Sequence, residues 1–148
     1  MNISDILTPE RTLADLKCAS KKRTLESISK WLGDQMTAFD GKELFNALIT
    51  REKLGSTGFG DGIAIPHCRL ARCTHVTGAL VRLAKPVDFD AIDHQPVDLL
   101  FVLLVPLEAT DEHLQILATL AGKFGQSEFR ESLRKATDAD AMYKIAIA

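Results

Sequence analysis

Net charge is nearly absent from this chain of 148 residues, in which 18 Lys and Arg stand against 20 Asp and Glu, leaving −2. Its longest basic cluster is Lys21-Lys22-Arg23, so the positive footprint that a nucleic-acid backbone demands is missing and nucleic acid is not an expected partner. Long apolar runs are missing too. Leu99 to Val105 is the longest, far short of the roughly 20 residues that span a bilayer, and Met1 to Glu10 has neither the basic start nor the apolar stretch of a secretion signal. Membrane insertion and secretion are therefore not expected. Cysteine is scarce as well: Cys18, Cys68 and Cys73 form no disulfide framework, which fits a reducing compartment and a cytoplasmic location.

What is present is an ordinary globular composition, 46% hydrophobic and 26% charged. No repeat, low-complexity tract or linker divides it, so one domain over 1–148 is expected. Leu25, Ile28, Leu32 and Met36 recur at helical spacing behind Ser20, a cap residue. Asp40 is placed to cap a second helix whose stripe is Leu44, Phe45, Leu48 and Ile49, ending at Gly55. Ile63 to Ile65, Val76 to Ala84 and Val97 to Val105 read as strands, the last too continuously apolar for a half-exposed sheet. Lys85 to Pro96, rich in Asp and Pro, reads as a turn. Thr110 then caps a helix with Leu114, Leu117, Ala118, Ala121 and Phe124 on its apolar face, and helices over 127–135 and 137–147 follow, the last opened by Thr137 and Asp140. Helices, strands and helices in that order predict an α/β sandwich, a mixed sheet flanked by helices.

Four glycines crowd the eight positions Gly55-Ser56-Thr57-Gly58-Phe59-Gly60-Asp61-Gly62. Glycine-rich backbone often cradles anions. No Gly-Lys-Ser/Thr follows, and the loop runs into a strand instead of opening a helix, so neither nucleotide fingerprint applies. The loop leads to Pro66-His67, where proline restricts the backbone before an imidazole. Such a histidine is a candidate phosphoryl acceptor, because one ring nitrogen is unprotonated near neutral pH and the other can be hydrogen-bonded to set the tautomer. The plainer alternative is a histidine that merely ends a strand. His113, in the first turn of its helix, and Arg51, at the end of the second helix, are the groups suited to a phosphoryl oxygen. Each has a plainer reading as a solvated surface residue.

Taken together, Arg51-Glu52, Gly55-Ser56-Thr57-Gly58, Gly62-Ile63-Ala64-Ile65-Pro66-His67 and His113-Leu114-Gln115 resemble the IIA components of the bacterial phosphoenolpyruvate phosphotransferase system, mannitol/fructose type. Asp5 to Pro9, Ser20 to Arg23 and Pro96 to Leu99 are similar to the stand-alone nitrogen-regulatory branch. The likeness covers nearly the whole chain. It implies that His67 accepts a phosphoryl group from the phosphohistidine of a carrier protein of the HPr or NPr type, with His113 and Arg51 as partners. It further implies regulatory targets such as potassium transporters or sensor kinases. No IIB segment follows Ala148, which favours regulation over delivery to a sugar-specific IIB partner, the alternative. Phe59 and Asp61 depart from the family pattern; an acid near a phosphoryl site raises negative potential and could tune transfer or partner choice, while the plainer reading of Asp61 is a solvated loop acid.

The expected mechanism is in-line attack by neutral His67 through Nε2, the tele nitrogen. Arg51, His113 and N–H groups of the loop Gly55, Ser56, Thr57, Gly58, Gly60 and Gly62 would hold the equatorial oxygens. No metal or cofactor is required. Two rival readings are a plain interaction domain and a metal site built from His67, Cys68, Cys73 and His75, whose spacing suits one metal poorly. Phe59 is a candidate docking residue or, equally, core packing over the site; His94 is expected to be solvated, His75 to begin a strand, and Trp31 to pack at the helix seam.

Overall fold

The computed structural model describes residues 1–109 and 111–148. Its centre is β6 (Val97–Pro106), along which Val97 and Leu99 to Val105 are almost wholly buried. Alternation along this strand explains why the apolar run is unbroken. Leu99, Phe101, Leu103 and Val105 enter one core, whereas Leu100, Val102 and Leu104 enter another on the opposite face. Both faces of the sheet are covered by helices.

Antiparallel to β6 runs β5 (Thr77–Val87), and beyond it β1 (Thr12–Leu16) lies parallel to β5. The other edge of β6 is shared by two short parallel strands, β3 (Ile63–Ala64) and β4 (His67–Leu70), while β2 (Gly58–Gly60) pairs antiparallel with β3. The sheet is thus mixed, with the order β1-β5-β6-β3-β2 and β4 beside β3 on β6.

Helices α1 (Lys21–Gln35) and α2 (Gly41–Leu54) cover one face, burying Leu25, Ile28, Leu32, Leu44 and Leu48. Ser20 caps α1 as expected, its hydroxyl accepting the Arg23 N–H at 3.1 Å. Asp40 occupies the N-cap position of α2, but its carboxylate accepts no capping bond. Trp31 packs against this core. The connection between the two helices folds back so closely that a Cβ on Gly33 would lie 2.8 Å from the Gly41 nitrogen.

Helices α3 (Asp111–Phe124), α4 (Ser127–Lys135) and α5 (Ala139–Ile147) cover the other face. Thr110, expected to cap α3, lies outside the described residues. The buried face of α3 is turned from the expected one, with Ile116, Leu120 and Phe124 buried and Leu114 67% exposed. Between Leu114 and Ala121 only Gln115 and Thr119 are polar, so spacing within this stretch admits more than one apolar stripe. Helix α5 starts at Ala139, and Asp138, in place of the expected pair Thr137 and Asp140, caps it by accepting the Ala141 N–H at 2.8 Å.

Three further expectations are corrected. β1 and the two 3-10 turns before it, Ile3–Asp5 and Pro9–Arg11, were not foreseen. β5 continues through Lys85 to Val87, which pairs with Val97, so the irregular connection is shorter than expected. Gly58 to Gly60, expected as loop, is paired strand.

Candidate functional site

His67 owes its position to backbone on both sides. The Thr57 carbonyl accepts the Ile65 N–H at 3.1 Å, the Pro66 carbonyl accepts the Leu103 N–H at 2.9 Å, and His67 opens β4 in register with Leu103. It therefore begins a strand, directly after Pro66, which has no backbone N–H to donate. Its ring Nδ1 lies 2.7 Å from the Ile65 carbonyl oxygen. A carbonyl only accepts, so Nδ1 carries the proton and Nε2 keeps a lone pair. Burial holds the imidazole below the usual histidine range; the Ile65 carbonyl opposes this, Arg51 adds to the lowering and Glu52 offsets it in part. The ring is thus neutral near pH 7 and exposes its nucleophilic nitrogen.

The fold brings His113 to it. The two rings lie 5.4 Å apart between centroids with their planes at 63°. His113 sits in the first turn of α3 and is also held below the usual range, by burial first and then by the charges of His67, Arg69 and Arg51. Arg51 reaches the same place from the last turn of α2, its Nη1 donating to the Gly55 carbonyl at 2.9 Å. These three residues, far apart in sequence, line one depression of about 560 Å³ together with Asn46, Ala47, Thr50, Leu54, Cys68 and Arg69. A groove of about 700 Å³ between α1 and α2 contains neither histidine.

Two participants escaped the sequence reading. Arg69 donates through Nη1 to the carbonyls of Leu107, at 3.0 Å, and Ala109, and its Nη2 lies 3.4 Å from His113 Nδ1. Its spacing of two from His67 is a signal that could have found it, since residues i and i+2 of a strand share a face. Glu52 is the second. Its carboxylate, 5% exposed over the whole residue, accepts the Thr57 N–H at 3.2 Å and the Thr57 hydroxyl, and pairs with Lys21 Nζ at 2.8 Å. An acid in the last turn of a helix, where the dipole disfavours it, was the available clue.

The glycine segment takes a different place from the one expected. Its Thr57 N–H is held by Glu52, the Gly58 N–H by Ser56 Oγ at 3.0 Å, and the Asp61 N–H by Asp93 at 3.0 Å. Ser56 Oγ also donates to the Phe89 carbonyl at 2.6 Å. None of Gly55, Ser56, Thr57, Gly58, Gly60 and Gly62 lines the depression. Asp61 is an exposed loop acid, the plainer of its two readings, and lies toward α4, its carboxylate 3.7 Å from Arg130 and its carbonyl accepting from Arg134 Nη2 at 2.5 Å. Phe59 is 41% exposed on β2. His94 is exposed as expected, whereas His75, expected to begin a strand, is exposed and lies two residues before β5.

Cys68 lines the depression but is buried, and burial together with neighbouring Cys73 pushes its thiol up to about 12. It is a protonated, inert group near neutral pH. Among the described residues no three His, Cys, Asp or Glu side chains gather to hold a metal, so the grouping of His67, Cys68, Cys73 and His75 is not a metal centre there. Among them, too, no helix is long and apolar enough to cross a membrane.

Residues 5–147 match the family described as the phosphoenolpyruvate-dependent sugar phosphotransferase system, EIIA 2. A nitrogen regulatory protein of Pseudomonas aeruginosa is 49% identical over 147 residues, covering 99% of this chain and 96% of that protein. One from Escherichia coli K12 is 43% identical over 146 residues, covering 98% and 89%. Among solved structures, the nitrogen regulatory protein IIA-Ntr of Neisseria meningitidis superposes with a TM-score of 0.91 at 44% identity over 97% of this chain and 98% of that one. IIA mannitol from Escherichia coli, at 20% identity and a TM-score of 0.78 over 95% and 98%, shares the fold. The chain belongs to the phosphotransferase-system EIIA 2 family, and within it to the nitrogen-regulatory IIA type, a phosphoryl-carrying regulator.

Proposed function

We propose that His67 is the residue that takes the phosphoryl group, and that it does so through Nε2. The observation that carries this reading is the 2.7 Å contact of His67 Nδ1 with the Ile65 carbonyl. It leaves Nε2 as the free nucleophile on a ring that burial keeps neutral. In the transfer, the Nε2 lone pair forms a bond to phosphorus as the bond to the donor's imidazole nitrogen breaks, and that electron pair returns to the donor. The positive charge left on the His67 ring is shared with Nδ1–H, where the Ile65 carbonyl stabilises it. Donor and acceptor are both phosphohistidines, so bond energies nearly cancel and positioning governs the rate. Arg51 supplies positive charge to the equatorial oxygens and His113 a hydrogen bond. The glycine segment shapes the site through Glu52 and does not wrap the phosphoryl group.

The donor on this reading is a histidine phosphocarrier of the HPr or NPr type, family members being partners of such carriers. Phosphorylation of His67 in the cytoplasm then sets the affinity for regulatory targets, of which potassium transporters and sensor kinases are the expected kinds. The test is incubation with phosphoenolpyruvate, the first phosphotransferase enzyme and the carrier, followed by intact-mass and peptide analysis under alkaline workup. A single acid-labile adduct on His67, lost in His67→Ala, is the expected result; full labelling of His67→Ala would overturn the assignment.

A further inference from the structure

His113 is neutral near pH 7, so its ring carries one proton, and which nitrogen holds it decides whether the ring can donate toward His67. Arg69 Nη2 lies 3.4 Å from His113 Nδ1. A guanidinium has donors and no acceptor, so Nδ1 meets it with a lone pair and the proton falls to Nε2. Nε2 of His113 is enclosed and has no hydrogen-bond partner within the protein. A buried donor left unpaired is costly, and the group it lacks is one that arrives from outside. The ring stands 5.4 Å from that of His67. Arg69 is itself fixed, because its other terminal nitrogen is bound to the carbonyls of Leu107 and Ala109 on the segment leading into α3.

We propose that Arg69 is a positioning residue that holds His113 as the Nε2–H tautomer, so that His113 donates to an oxygen of the phosphoryl group on His67. The two histidines are thereby set in opposite tautomers: Nδ1–H on His67, leaving a nucleophile, and Nε2–H on His113, presenting a donor. The donation step rests on His67 being the acceptor, whereas the tautomer does not.

Two-bond proton–nitrogen correlation spectra of the 15N-labelled protein, recorded with no phosphoryl donor, report which nitrogen of each ring is protonated. The native protein should show His113 protonated at Nε2. In Arg69→Met, which keeps the stem and removes the donors, the Nδ1–H form should appear and the initial rate of His67 phosphorylation should fall about tenfold, the scale of one lost charge-assisted hydrogen bond. Arg69→Lys keeps a donor and should recover most of that rate. In a His113→Ala background, Arg69→Met should slow transfer no further. A proton on His113 Nδ1 in the native protein, an unchanged tautomer in Arg69→Met, or an additive loss in the double variant overturns the proposal. If the native protein takes up no phosphoryl group at His67, the acceptor reading and the donation step fall together, while the tautomer spectra still decide what Arg69 does to His113.

Discussion

His67 and His113 meet edge to face, 5.4 Å between ring centroids, although 45 positions separate them in the chain. Burial lowers the proton affinity of both, and the charge of His67 further opposes protonation of His113. Two neutral rings side by side are therefore the resting state near pH 7.

Stability should follow from the same shift. Because both histidines bind protons more weakly in the folded protein than in the unfolded chain, the unfolded state holds more protons in the window between the lowered folded values and the unfolded value of about 6.5. Stability rises with pH through that window. As pH falls through about 6.5 toward the folded values the protein loses stability, and below them the slope from these groups levels off. Urea unfolding followed from pH 7.5 to 5 should show this decline, and His67→Gln should flatten it. An equal slope in the variant, or a His67 ring titrating at or above its ordinary value by NMR, contradicts the account.

Lys21 and Glu52 offer a sharper asymmetry. The Glu52 side chain is 2% exposed and the Lys21 side chain 19%, with 2.8 Å between charges. Lys21→Met strands a buried carboxylate and should cost about 3 kcal/mol. Glu52→Gln removes the buried charge, keeps an acceptor for Thr57 and frees an ammonium that reaches solvent, so its cost should be smaller. Denaturant midpoints of the two variants decide the order. Glu52→Gln proving the more damaging would show that the carboxylate's charge matters more to the fold than its burial.

The same pair shows why the site was only partly legible from sequence. Helices α1 and α2, the strands β5 and β6 and the continuous burial of β6 all follow from local periodicity, which a sequence displays directly. Strand β1 does not, because Thr12–Leu16 is short and shows no alternation of buried and exposed residues. Of the site, Arg51, His67 and His113 stood out by residue type and by family likeness. Arg69 and Glu52 act through partners that only folding supplies: the former crosses to the segment before α3, and the latter ties α2 to α1 and to the glycine segment. The glycine segment misled for a related reason. Its N–H groups look free in sequence, yet Glu52, Ser56 and Asp93 accept three of them in the fold.

Packing between α1 and α2 supplies another test. A methyl on Gly33 would sit 2.8 Å from the Gly41 nitrogen and 2.9 Å from its Cα, both backbone atoms that no rotamer change can move aside. Gly33→Ala gains helix propensity of about 1 kcal/mol but forces the two segments apart, an overpacking cost of about 1–3 kcal/mol. Net destabilisation is expected, in contrast to the usual gain from this substitution in a helix. A higher melting temperature for Gly33→Ala would mean that the connection yields easily and that the close approach is not needed.

Cysteine reactivity provides the last check, because it reads the site's burial without touching phosphoryl chemistry. The Cys68 thiol, pushed up to about 12 by burial and by Cys73, offers almost no thiolate near neutral pH, and Cys73 is also raised and buried. Cys18 is only partly buried. A thiol-disulfide reagent at pH 7.5 should therefore modify Cys18 first, leaving Cys68 and Cys73 to react at the rate of opening or unfolding, as peptide mapping against time would show. The Cys18→Ser protein should react at least tenfold more slowly than the parent. Rapid labelling of Cys68 in folded protein would mean that the floor of the depression opens to solvent, and the neutral, low-affinity state assigned to the neighbouring His67 ring would lose its physical cause.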